Sequence, residues 1–382
     1  MKIRHIVASL QREHGGPSIS VPALCSALAA DGHDVELLTT EPGLRAPRVE
    51  SPMRGLEVRF FRRAWPGSIS CSPDLRKYSG RNPPESEAAN TVAVIHHHGI
   101  WLRTLHYAVR AKRLSGAKLV VSPRGMMEPW AWKHRRWRKA LAGALIHPRA
   151  LPEVDGWHAT SKEEAEGIQA LGFTQPIGIS PNGVPIPEKA DLAVAEHEWR
   201  TNCPELQGRR VALFYSRFHS KKRVFELIEL WSRRPVDDWL LLVAGIPDPI
   251  TVTQLRQSVH DHGATDRILV RDGTASKAPY PAAELLLLPT HSENFGLVVA
   301  ESMAAGVPVV VTDTTPWAKL NQEGCGWCVP WEAFDRTVAV ATAMTKDQLA
   351  ARGAKARDWM RREFSWRLAA ERMAQFYGRL AA

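Results

Sequence analysis

Two carboxylates stand eight positions apart in the stretch HSENFGLVVAESMAAG, Glu293 in a loop and Glu301 inside the helix that follows it. Eight residues make a little over two helical turns, so both side chains can lie along one side of the helix. Carboxylates accept hydrogen bonds from hydroxyl groups, so one could bind a sugar and the other a ribose. The N–H groups of Asn294, Phe295 and Gly296 would point at a phosphate lying between the two carboxylates.

Two cations stand five positions apart in the stretch SRFHSKKRV, which leaves a predicted strand and precedes a helix starting near Val224. Arg217 and Lys222 could grip a diphosphate from two sides, because charge-assisted hydrogen bonds add to the positive end of the helix dipole. A solvated basic turn is the alternative. The spacing predicts a diphosphate site in the second half of the chain.

A pair of glycines, Gly15 and Gly16, follows the first predicted strand and precedes a helix from about Ser20 to Ala30. Glycines let the backbone pass close to a bound group, and the helix start attracts an anion. The segment lacks the G-x-G-x-x-G pattern and the Lys-Ser/Thr ending of a P-loop, so it predicts no ATPase. A purely structural turn is the alternative.

The three adjacent histidines at positions 96–98 raise the question of a metal site. Strand alternation sends His97 to the opposite face from His96 and His98, so the three cannot converge on one ion. The five cysteines are odd in number and scattered, and the Cys325–Cys328 pair has no second pair of ligands nearby. We therefore predict no metal site and no disulfide framework.

An aromatic and basic segment, EPWAWKHRRWRKALAGALI, occupies residues 128–146. Its interleaved tryptophans and cations suit an anionic bilayer surface, where indoles sit at the interface and cations on headgroups. A solvated helix or a surface for single-stranded nucleic acid would show the same pattern.

These residues need a framework, and the chain alternates apolar strand patterns with amphipathic helices, which is typical of parallel α/β layers. Strands are predicted at Ile3–Ser9, Asp34–Thr40, Leu56–Phe61, Thr91–His97, Ala117–Pro123 and Gly156–Thr160, and then at Arg209–Ser216, Trp239–Gly245, Arg267–Val270, Glu284–Thr290 and Val307–Asp313. Residues 72–90 read as a polar loop and residues 180–208, with four prolines, as a linker. Two doubly wound domains are expected, residues 1–190 and 191–382, with a final helix at about 366–382 that packs back on the first. Their functional loops follow the strands and should converge on a cleft.

Length and composition agree with this picture. A chain of 382 residues exceeds what one core usually holds. The net charge of +10 favours anionic partners. No apolar stretch is long enough to span a bilayer, and the N-terminus turns polar after a short apolar run, so a cytoplasmic chain is expected.

Two motifs then identify a family. SENFGLVVAE resembles the E-x7-E signature of the retaining glycosyltransferases of family 4, and SRFHSKK is similar to that family's Arg-x4-Lys clamp. Seven further stretches resemble, in order and spacing, a bacterial branch of the family that builds surface polysaccharide and lipopolysaccharide. They are IHHHGIW, SPRGMMEPWAW, HATSKEEAE, PNGV, TPWAKL, GCGW and FSW. The resemblance implies the GT-B fold, an α/β architecture of two Rossmann-like domains, the first for the acceptor and the second for the donor.

The resemblance also implies roles for the donor-binding residues. Glu301 would hold the ribose, Glu293 would contact the hydroxyls of the transferred sugar, and Arg217 with Lys222 would neutralise the diphosphate leaving group. Asn294, Phe295 and Gly296 would complete the donor site. The donor would be a GDP- or UDP-linked sugar used as a substrate, with no cofactor and no metal.

In the first domain, Gly15 and Gly16 would face the same diphosphate, and His98 would lie beside the reacting anomeric carbon. The acceptor or membrane side would comprise Arg124, Trp130, Trp132, Lys133, Arg135 and Arg136. The implied acceptor is a lipid-linked glycan, so the aromatic and basic segment is expected to contact the anionic inner face of the cytoplasmic membrane. No nucleic-acid partner is expected.

The predicted activity is that of a retaining hexosyltransferase in the synthesis of surface polysaccharide or lipopolysaccharide. One alternative is an epimerase or phosphorylase with two facing α/β domains. A second alternative is a catalytically silent glycosyltransferase-like subunit, and a third is a nucleic-acid binder that exploits the positive charge. Glu293, Glu301, Arg217 and Lys222 are all present, which speaks against the silent subunit, and no known nucleic-acid module is present.

Overall fold

A computed structural model describes residues 1–11, 16–80, 91–127, 150–235, 238–274 and 277–382. The chain divides into two compact units. The first comprises Met1–Gly183 together with Trp366–Ala382, and the second comprises Val184–Ser365. The division thus falls at 183/184, compared with the predicted 190/191, and the last segment of the chain returns to the first unit.

The strands of the described residues form one sheet in each unit. Those of the first unit are β1 (Lys2–Val7), β2 (Asp34–Glu41), β3 (Arg48–Met53), β4 (Leu56–Arg62), β5 (Val92–His98), β6 (Lys118–Ser122), β7 (Gly156–Ala159) and β8 (Ile177–Ile179). Those of the second unit are β9 (Arg210–Phe218), β10 (Trp239–Pro247), β11 (Ile268–Asp272), β12 (Leu285–Leu288), β13 (Val309–Thr312) and β14 (Gly326–Val329).

Helices connect these strands. The described residues contain α1 (Pro17–Ala30), α2 (Pro73–Ser79), α3 (Thr104–Ser115), α4 (Lys162–Ala170), α5 (Lys189–Asn202), α6 (Val224–Ser232), α7 (Val252–Asp261), α8 (Leu297–Ala304), α9 (Leu320–Glu323), α10 (Trp331–Thr342), α11 (Lys346–Glu363) and α12 (Trp366–Ala381). Within this part of the chain, no helix is both long enough and apolar enough to cross a bilayer.

The sheet of the first unit has the order β3-β4-β2-β1-β5-β6-β7-β8. All neighbouring strands are parallel except β3 and β4, which pair antiparallel at one edge. The pairing of β1 with β5 sets His5 opposite His96 and Val7 opposite His98. This register brings three histidines to one region of the sheet.

The last helix, α12, packs on the sheet of the first unit through glycines. A Cβ atom built on Gly178 would lie 2.6 Å from the Phe376 ring, and one on Gly183 would lie 2.5 Å from the Trp366 backbone. The Ser180 hydroxyl also donates a hydrogen bond to the Ala369 carbonyl at 3.2 Å. Small residues on β8 and just after it therefore allow the close approach of this helix.

The sheet of the second unit is parallel throughout, with the order β11-β10-β9-β12-β13-β14. Its central strand β12 consists of four leucines, and each of them is fully buried. Helices cover both faces of such a sheet, which explains why its strands are apolar throughout rather than alternating.

Two segments differ from the sequence-based expectation. Part of the predicted loop at 72–90 forms α2, where the Ser72 side chain accepts a hydrogen bond from the Leu75 N–H and caps the helix. The predicted linker at 180–208 contains α5, whose Trp199 is buried in the core of the second unit. The proline-rich ends of both segments concealed the helical periodicity between them.

Three strands were not predicted. β3 is an edge strand whose residues are almost all exposed, and β8 has only three residues. β14 carries the second cysteine of the C-x-x-C pattern, and both Cys325 and Cys328 are buried without a disulfide. Short or exposed strands lack the apolar run on which the prediction depended.

Candidate functional site

The helix α8 begins at a turn that requires glycine. Gly296 precedes the first helical residue and has a φ of 76°, in the left-handed region, and a Cβ atom there would lie 3.3 Å from Trp317 Nε1. The same indole nitrogen donates a hydrogen bond to the Phe295 carbonyl at 2.6 Å. Trp317 and Phe295 are both buried, so the turn that carries residues 293–296 is firmly held.

Lys222 and Glu293 form an ion pair at this turn. Lys222 ends the short 3-10 turn after β9, and its ammonium group donates a hydrogen bond to Glu293 Oε1. The Lys222 side chain is 9% exposed and that of Glu293 is 14% exposed, so each charge depends largely on the other. The structure therefore brings together two residues that the sequence placed 71 positions apart.

The loops that carry this pair are tied together by hydrogen bonds to backbone carbonyls. The Thr290 hydroxyl donates to the Lys221 carbonyl at 3.1 Å, and the His291 N–H donates to the same carbonyl at 2.8 Å. Glu293 N–H donates to the Thr314 carbonyl at 3.3 Å. The carboxyl ends of β9, β12 and β13 thus converge on Glu293, as the geometry of a parallel sheet requires.

The second carboxylate, Glu301, has a partner that the sequence analysis missed. The Tyr280 hydroxyl donates a hydrogen bond to Glu301 Oε2 at 2.7 Å. Burial raises the pKa of the Glu301 carboxyl, and the hydrogen bond from Tyr280 offsets part of that rise. Burial also raises the pKa of Tyr280 well above its usual value, so the phenol remains a donor. Tyr280 lies in a short turn between β11 and β12, where no pattern distinguishes it.

Arg217, the other cation of the predicted clamp, pairs with a different carboxylate. It lies near the end of β9, and its guanidinium contacts Asp248 Oδ2 at 2.5 Å. Both side chains are more than two-fifths exposed, so the pair is open to solvent. The two cations of the predicted clamp thus have different carboxylate partners. Asp248 was also missed, although its position just after β10 is a usual place for a functional residue.

In the first unit, Gly16 immediately precedes α1. Its backbone is helical, and its carbonyl accepts hydrogen bonds from the N–H groups of Ile19 and Ser20 at 3.1 and 3.0 Å. Pro17, which has no N–H group, occupies the first helical position. Gly15 lies outside the described residues, as do Trp130, Trp132, Lys133, Arg135 and Arg136 of the aromatic and basic segment.

The histidines of β5 divide between the two faces of the sheet, as strand alternation predicted. His97 points to one face, where its Nδ1 donates to the Gly99 carbonyl and its Nε2 accepts from the Thr104 hydroxyl, both at 2.9 Å. His96 and His98 point to the other face and meet His5 there. All of these rings are buried.

The tautomer of His98 follows from its partners. Arg124 Nη2 lies 3.1 Å from His98 Nδ1, and a guanidinium can only donate, so Nδ1 accepts. The proton of His98 is therefore on Nε2, which donates to His5 Nδ1 at 3.0 Å. Burial, reinforced by His96 and Arg124, holds the pKa of His98 well below its usual value. His98 is neutral at pH 7.

Arg124 lies inside the first unit, next to His98. Its second nitrogen, Nη1, donates to Asn182 Oδ1 at 2.9 Å, and its backbone has a φ of 55°, unusual for a residue other than glycine. Burial lowers the pKa of Arg124 to about 10, so the guanidinium stays charged at neutral pH. Arg124, which the sequence predicts on the acceptor or membrane side, thus has His98 and Asn182 as partners.

The histidine cluster also resembles a metal site in its dimensions. One nitrogen each from His5, His96 and His98 lies within 4.8 Å of the others. The charged Arg124 beside them would repel a cation, and both nitrogens of His98 already have partners. His96 Nδ1 lies 2.6 Å from the Tyr377 hydroxyl on α12. These contacts favour a hydrogen-bonded cluster over a cation site.

Comparison with known proteins gives consistent matches over the length of the chain. A family model described as "Glycosyl transferases group 1" matches residues 196–359, and one described as "Glycosyl transferase 4-like domain" matches residues 15–183. The D-inositol 3-phosphate glycosyltransferase of Xylanimonas cellulosilytica is 26% identical over 78% of this chain and 75% of its own length.

Two further comparisons extend this result. The GDP-mannose:cellobiosyl-diphosphopolyprenol alpha-mannosyltransferase of Xanthomonas campestris is 24% identical over 85% of this chain and 81% of its own. The structure of sucrose-phosphate synthase from Thermosynechococcus elongatus is similar with a TM-score of 0.77 and 20% identity, over 99% of this chain and 98% of the other. The similarity to sucrose-phosphate synthase shows the fold.

Proposed function

We propose a specific reaction on the premise that this chain belongs to the group 1 and 4-like glycosyltransferases and has the GT-B fold. As a hexosyltransferase, it moves a sugar from a nucleoside-diphosphate donor to a glycan. We propose that the transfer retains the anomeric configuration, that the donor is GDP-mannose and that the acceptor is a lipid-linked saccharide. The Xanthomonas relative, which is named for GDP-mannose and a diphosphopolyprenol-linked acceptor, supports this choice.

The observation that carries the proposal is the arrangement of Glu293, Lys222 and Glu301 about α8. Lys222 and Glu293 are paired at the start of the helix, and Glu301 lies two turns further along it. The diphosphate of the donor would replace Glu293 as the partner of Lys222, and Glu293 would then turn to the hydroxyls of the sugar. Glu301 would accept hydrogen bonds from the ribose in place of the Tyr280 hydroxyl.

The proposed chemistry is electrostatic. Negative charge grows on the diphosphate as the glycosidic bond breaks, and a cation already held in position stabilises this charge without reorganisation. Lys222 is such a cation, since its loop is tied by hydrogen bonds to the loop of Glu293. Arg217, which is exposed and paired with Asp248, would join it when the donor binds.

We propose that His98 lies beside the reacting anomeric carbon as a neutral group, with its ring nitrogens held by Arg124 and His5. Its Nε2 proton is oriented by the Arg124 contact at Nδ1, so the ring is held in one tautomer. The neighbouring Gly99, with a φ of 91°, turns the chain directly after the strand. Transfer would need no metal ion, because the cations of the protein neutralise the leaving group.

The membrane contact of the aromatic and basic segment remains part of this proposal. Its residues 128–146 carry three tryptophans interleaved with cations, a composition that suits an anionic surface carrying a lipid-linked acceptor. Binding to vesicles rich in anionic lipid should fall as salt increases, because the charge is screened over about 8 Å at physiological strength. Replacing Arg135, Arg136, Arg138 and Lys139 with Ser should release the protein from such vesicles.

Donor selection tests the proposal directly. Nucleoside-diphosphate sugars with guanine or uracil should be compared by the shift in melting temperature, since a ligand that binds only the native state raises the apparent stability. We expect GDP-mannose to give the largest shift, and mannose to appear on a diphosphoprenyl-linked disaccharide in a transfer assay. Isomerisation of the free donor, or a requirement for inorganic phosphate, would instead indicate the epimerase or phosphorylase.

A further inference from the structure

A basic pocket opens at the carboxyl ends of β2 and β4 in the first unit. Its volume is about 490 Å3, and two loops line it, residues 43–45 after β2 and residues 62–65 at the end of β4. β2 and β4 are parallel neighbours, with Thr40 opposite Phe61 and Glu41 opposite Arg62. Parallel α/β sheets bind ligands beyond the carboxyl ends of their strands, so the pocket lies where a ligand is expected.

Three arginines dominate the lining, Arg45, Arg62 and Arg63, and no carboxylate is among the lining residues. Among the residues that the structure describes, Arg45 and Arg62 form no ion pair with a carboxylate, whereas Arg48 and Arg59 do. The side chains of Arg45 and Arg62 are both exposed. The positive charges around this pocket repel each other. An anionic ligand would be attracted by these charges, and its binding would relieve the repulsion.

Arg63 is the fixed member of the set. Its Nε donates to the Thr40 hydroxyl at 3.0 Å, and its Nη2 lies 3.2 Å from the carbonyls of Ala8 and Thr40. These bonds tie the guanidinium to the ends of β1 and β2. A cation that is already in place loses little freedom on binding an anion, which favours a specific site over diffuse attraction.

Trp65 forms the remaining wall of the pocket and is 92% exposed. Its loop is closed by a hydrogen bond from the Ala64 N–H to the Cys71 carbonyl at 2.7 Å. The Arg103 N–H also donates to Ile69 in the same loop, at 2.9 Å. The loop thus presents a large aromatic surface to solvent beside three cations. Tryptophan and arginine are enriched among the residues that dominate the binding energy of protein interfaces.

We propose that this pocket is an acceptor subsite for an acidic sugar, one that carries a phosphate or a carboxylate. The sugar ring lies on the Trp65 indole, whose face suits the apolar C–H groups of a pyranose. The anionic group accepts charge-assisted hydrogen bonds from Arg45 and Arg62, with Arg63 beside them. The proposal rests on the proposed function in one respect, that the bound glycan is the acceptor of the transfer.

Direct binding of small acidic sugars tests the subsite without requiring transfer. The affinities of glucose 6-phosphate, glucuronic acid and the neutral methyl glucoside should be measured by ligand-observed NMR on the full chain. We expect at least one acidic sugar to bind about tenfold or more tightly than methyl glucoside. Preference for the phosphate indicates a phosphorylated acceptor, and preference for the uronic acid indicates a carboxylated one. Either preference supports the proposal.

Variants assign the effect to the pocket. The double variant R45S/R62S should bring the acidic sugars to within about twofold of methyl glucoside, and Trp65→Ala should weaken all three about threefold or more. Arg54→Ser is the matched control, because Arg54 is an exposed arginine at the opposite end of β4. It should leave all three affinities unchanged.

Several results would overturn the proposal. Equal affinity of wild type for acidic and neutral sugars would do so, as would R45S/R62S binding that matches wild type. Inorganic phosphate that binds as tightly as glucose 6-phosphate, with no effect of Trp65→Ala, would show an anion site that does not recognise sugar. Loss of binding to phosphatidylglycerol vesicles in R45S/R62S, with sugar affinities intact, would assign the arginines to a membrane contact.

Binding of GDP and UDP separates this inference from the proposed function. R45S/R62S should retain wild-type affinity for the nucleotides, since neither arginine is among the predicted donor-binding residues, whose charged members all lie in the second unit. Acidic sugars that bind to a chain without affinity for any nucleoside diphosphate would support the pocket and contradict the proposed function. Nucleotide binding by a chain that does not distinguish acidic from neutral sugars would support the proposed function and contradict the pocket.

Discussion

At the scale of single residues, the ion pair between Lys222 and Glu293 has a consequence for donor binding. Each side chain is nearly buried and each neutralises the other, so a diphosphate must compete with Glu293 for the ammonium group. Breaking such a pair on one side leaves the other charge uncompensated, which is costly. The carboxylate therefore both holds the lysine in place and limits its affinity for phosphate.

The first prediction concerns these two residues. Lys222→Ala should lower the affinity for bare GDP and slow transfer by about tenfold or more, which is roughly 1.4 kcal/mol. Glu293→Gln should leave the affinity for bare GDP unchanged or raise it, because the lysine is released, while transfer is slowed. Lys221→Ala, which removes one charge from the same turn, serves as the control. Isothermal titration and steady-state kinetics measure both effects, and weaker GDP binding by Glu293→Gln would contradict this account.

The second prediction concerns Glu301 and Tyr280. Burial raises the pKa of Glu301, and the Tyr280 hydroxyl limits that rise, so Tyr280→Phe should raise this pKa further. A protonated carboxyl is a poorer acceptor for ribose hydroxyls. The ratio of the Tyr280→Phe affinity for GDP to the wild-type affinity should therefore be lower at pH 5.5 than at pH 8.

Glu301→Gln is the control for this pH effect. Glu301→Gln should weaken GDP binding at both pH values. Because glutamine does not ionise, position 301 should then contribute no pH dependence to the affinity. If the ratio of wild-type to Tyr280→Phe affinity is the same at pH 5.5 and pH 8, Tyr280 does not act through the ionisation of Glu301.

At the scale of elements, the close packing of α12 on β8 depends on glycine at the contact. Phe376 lies against the backbone of Gly178. The helix also brings the Tyr377 hydroxyl to within 2.6 Å of His96 Nδ1. The helix that ends the chain thus completes the cluster that includes His98. A change at the contact should affect both the stability of the first unit and the order of its histidines.

The third prediction tests this contact. Gly178→Ala should destabilise the first unit by about 1 to 3 kcal/mol, since its Cβ atom would lie 2.6 Å from the Phe376 ring and force the helix or the ring to move. Gly378→Ala is the matched control, because a Cβ atom there meets nothing within 4 Å. In the interior of α12 it should stabilise by about 0.5 to 1 kcal/mol. Denaturant unfolding measures both, and equal stability of the two variants would refute the steric argument.

At the scale of the whole molecule, four buried histidines should make stability depend on pH. Burial lowers the pKa of His5 and His158 to about 3 and holds those of His96 and His98 well below their usual value. Arg124 and the neighbouring rings, all inside the first unit, reinforce these shifts. Below pH of about 6.5 the unfolded chain binds protons that the folded unit cannot accept.

The fourth prediction follows from the sign of these shifts. The stability of the first unit should be full above pH of about 6.5 and should be lost as the pH falls toward the folded pKa values. Each histidine contributes a slope of up to about 1.4 kcal/mol per pH unit. The raised pKa of Glu301 has the opposite effect, but it concerns one carboxyl of the second unit.

Melting temperatures between pH 8 and pH 5 measure this dependence. His158→Gln should reduce the slope, because one buried imidazole is removed. His260→Gln should leave the slope unchanged, since the His260 side chain is 77% exposed. A melting temperature that is constant between pH 7 and pH 5 would mean that the cluster takes up protons without cost.

The sequence by itself determined the architecture and the family. Runs such as the four leucines of β12 are buried on both faces, so their composition alone identified parallel strands between helices. The spacing of Glu293 and Glu301, and the position of Gly296 before α8, were also readable, because they depend on local geometry. The alternation of His96, His97 and His98 is a local property of one strand and was predicted for the same reason.

Only the tertiary structure decided which partners these residues have. Three of the contacts at the candidate site join segments that are distant in the chain, and no local pattern encodes such pairs. They are the contacts of Tyr280 with Glu301, Asp248 with Arg217, and Arg124 with His98. The basic pocket likewise requires the parallel pairing of β2 with β4, which brings the loops at Arg45 and Trp65 together. A sequence pattern specifies the period and the ends of an element, whereas contacts between elements depend on the register and packing of the whole unit.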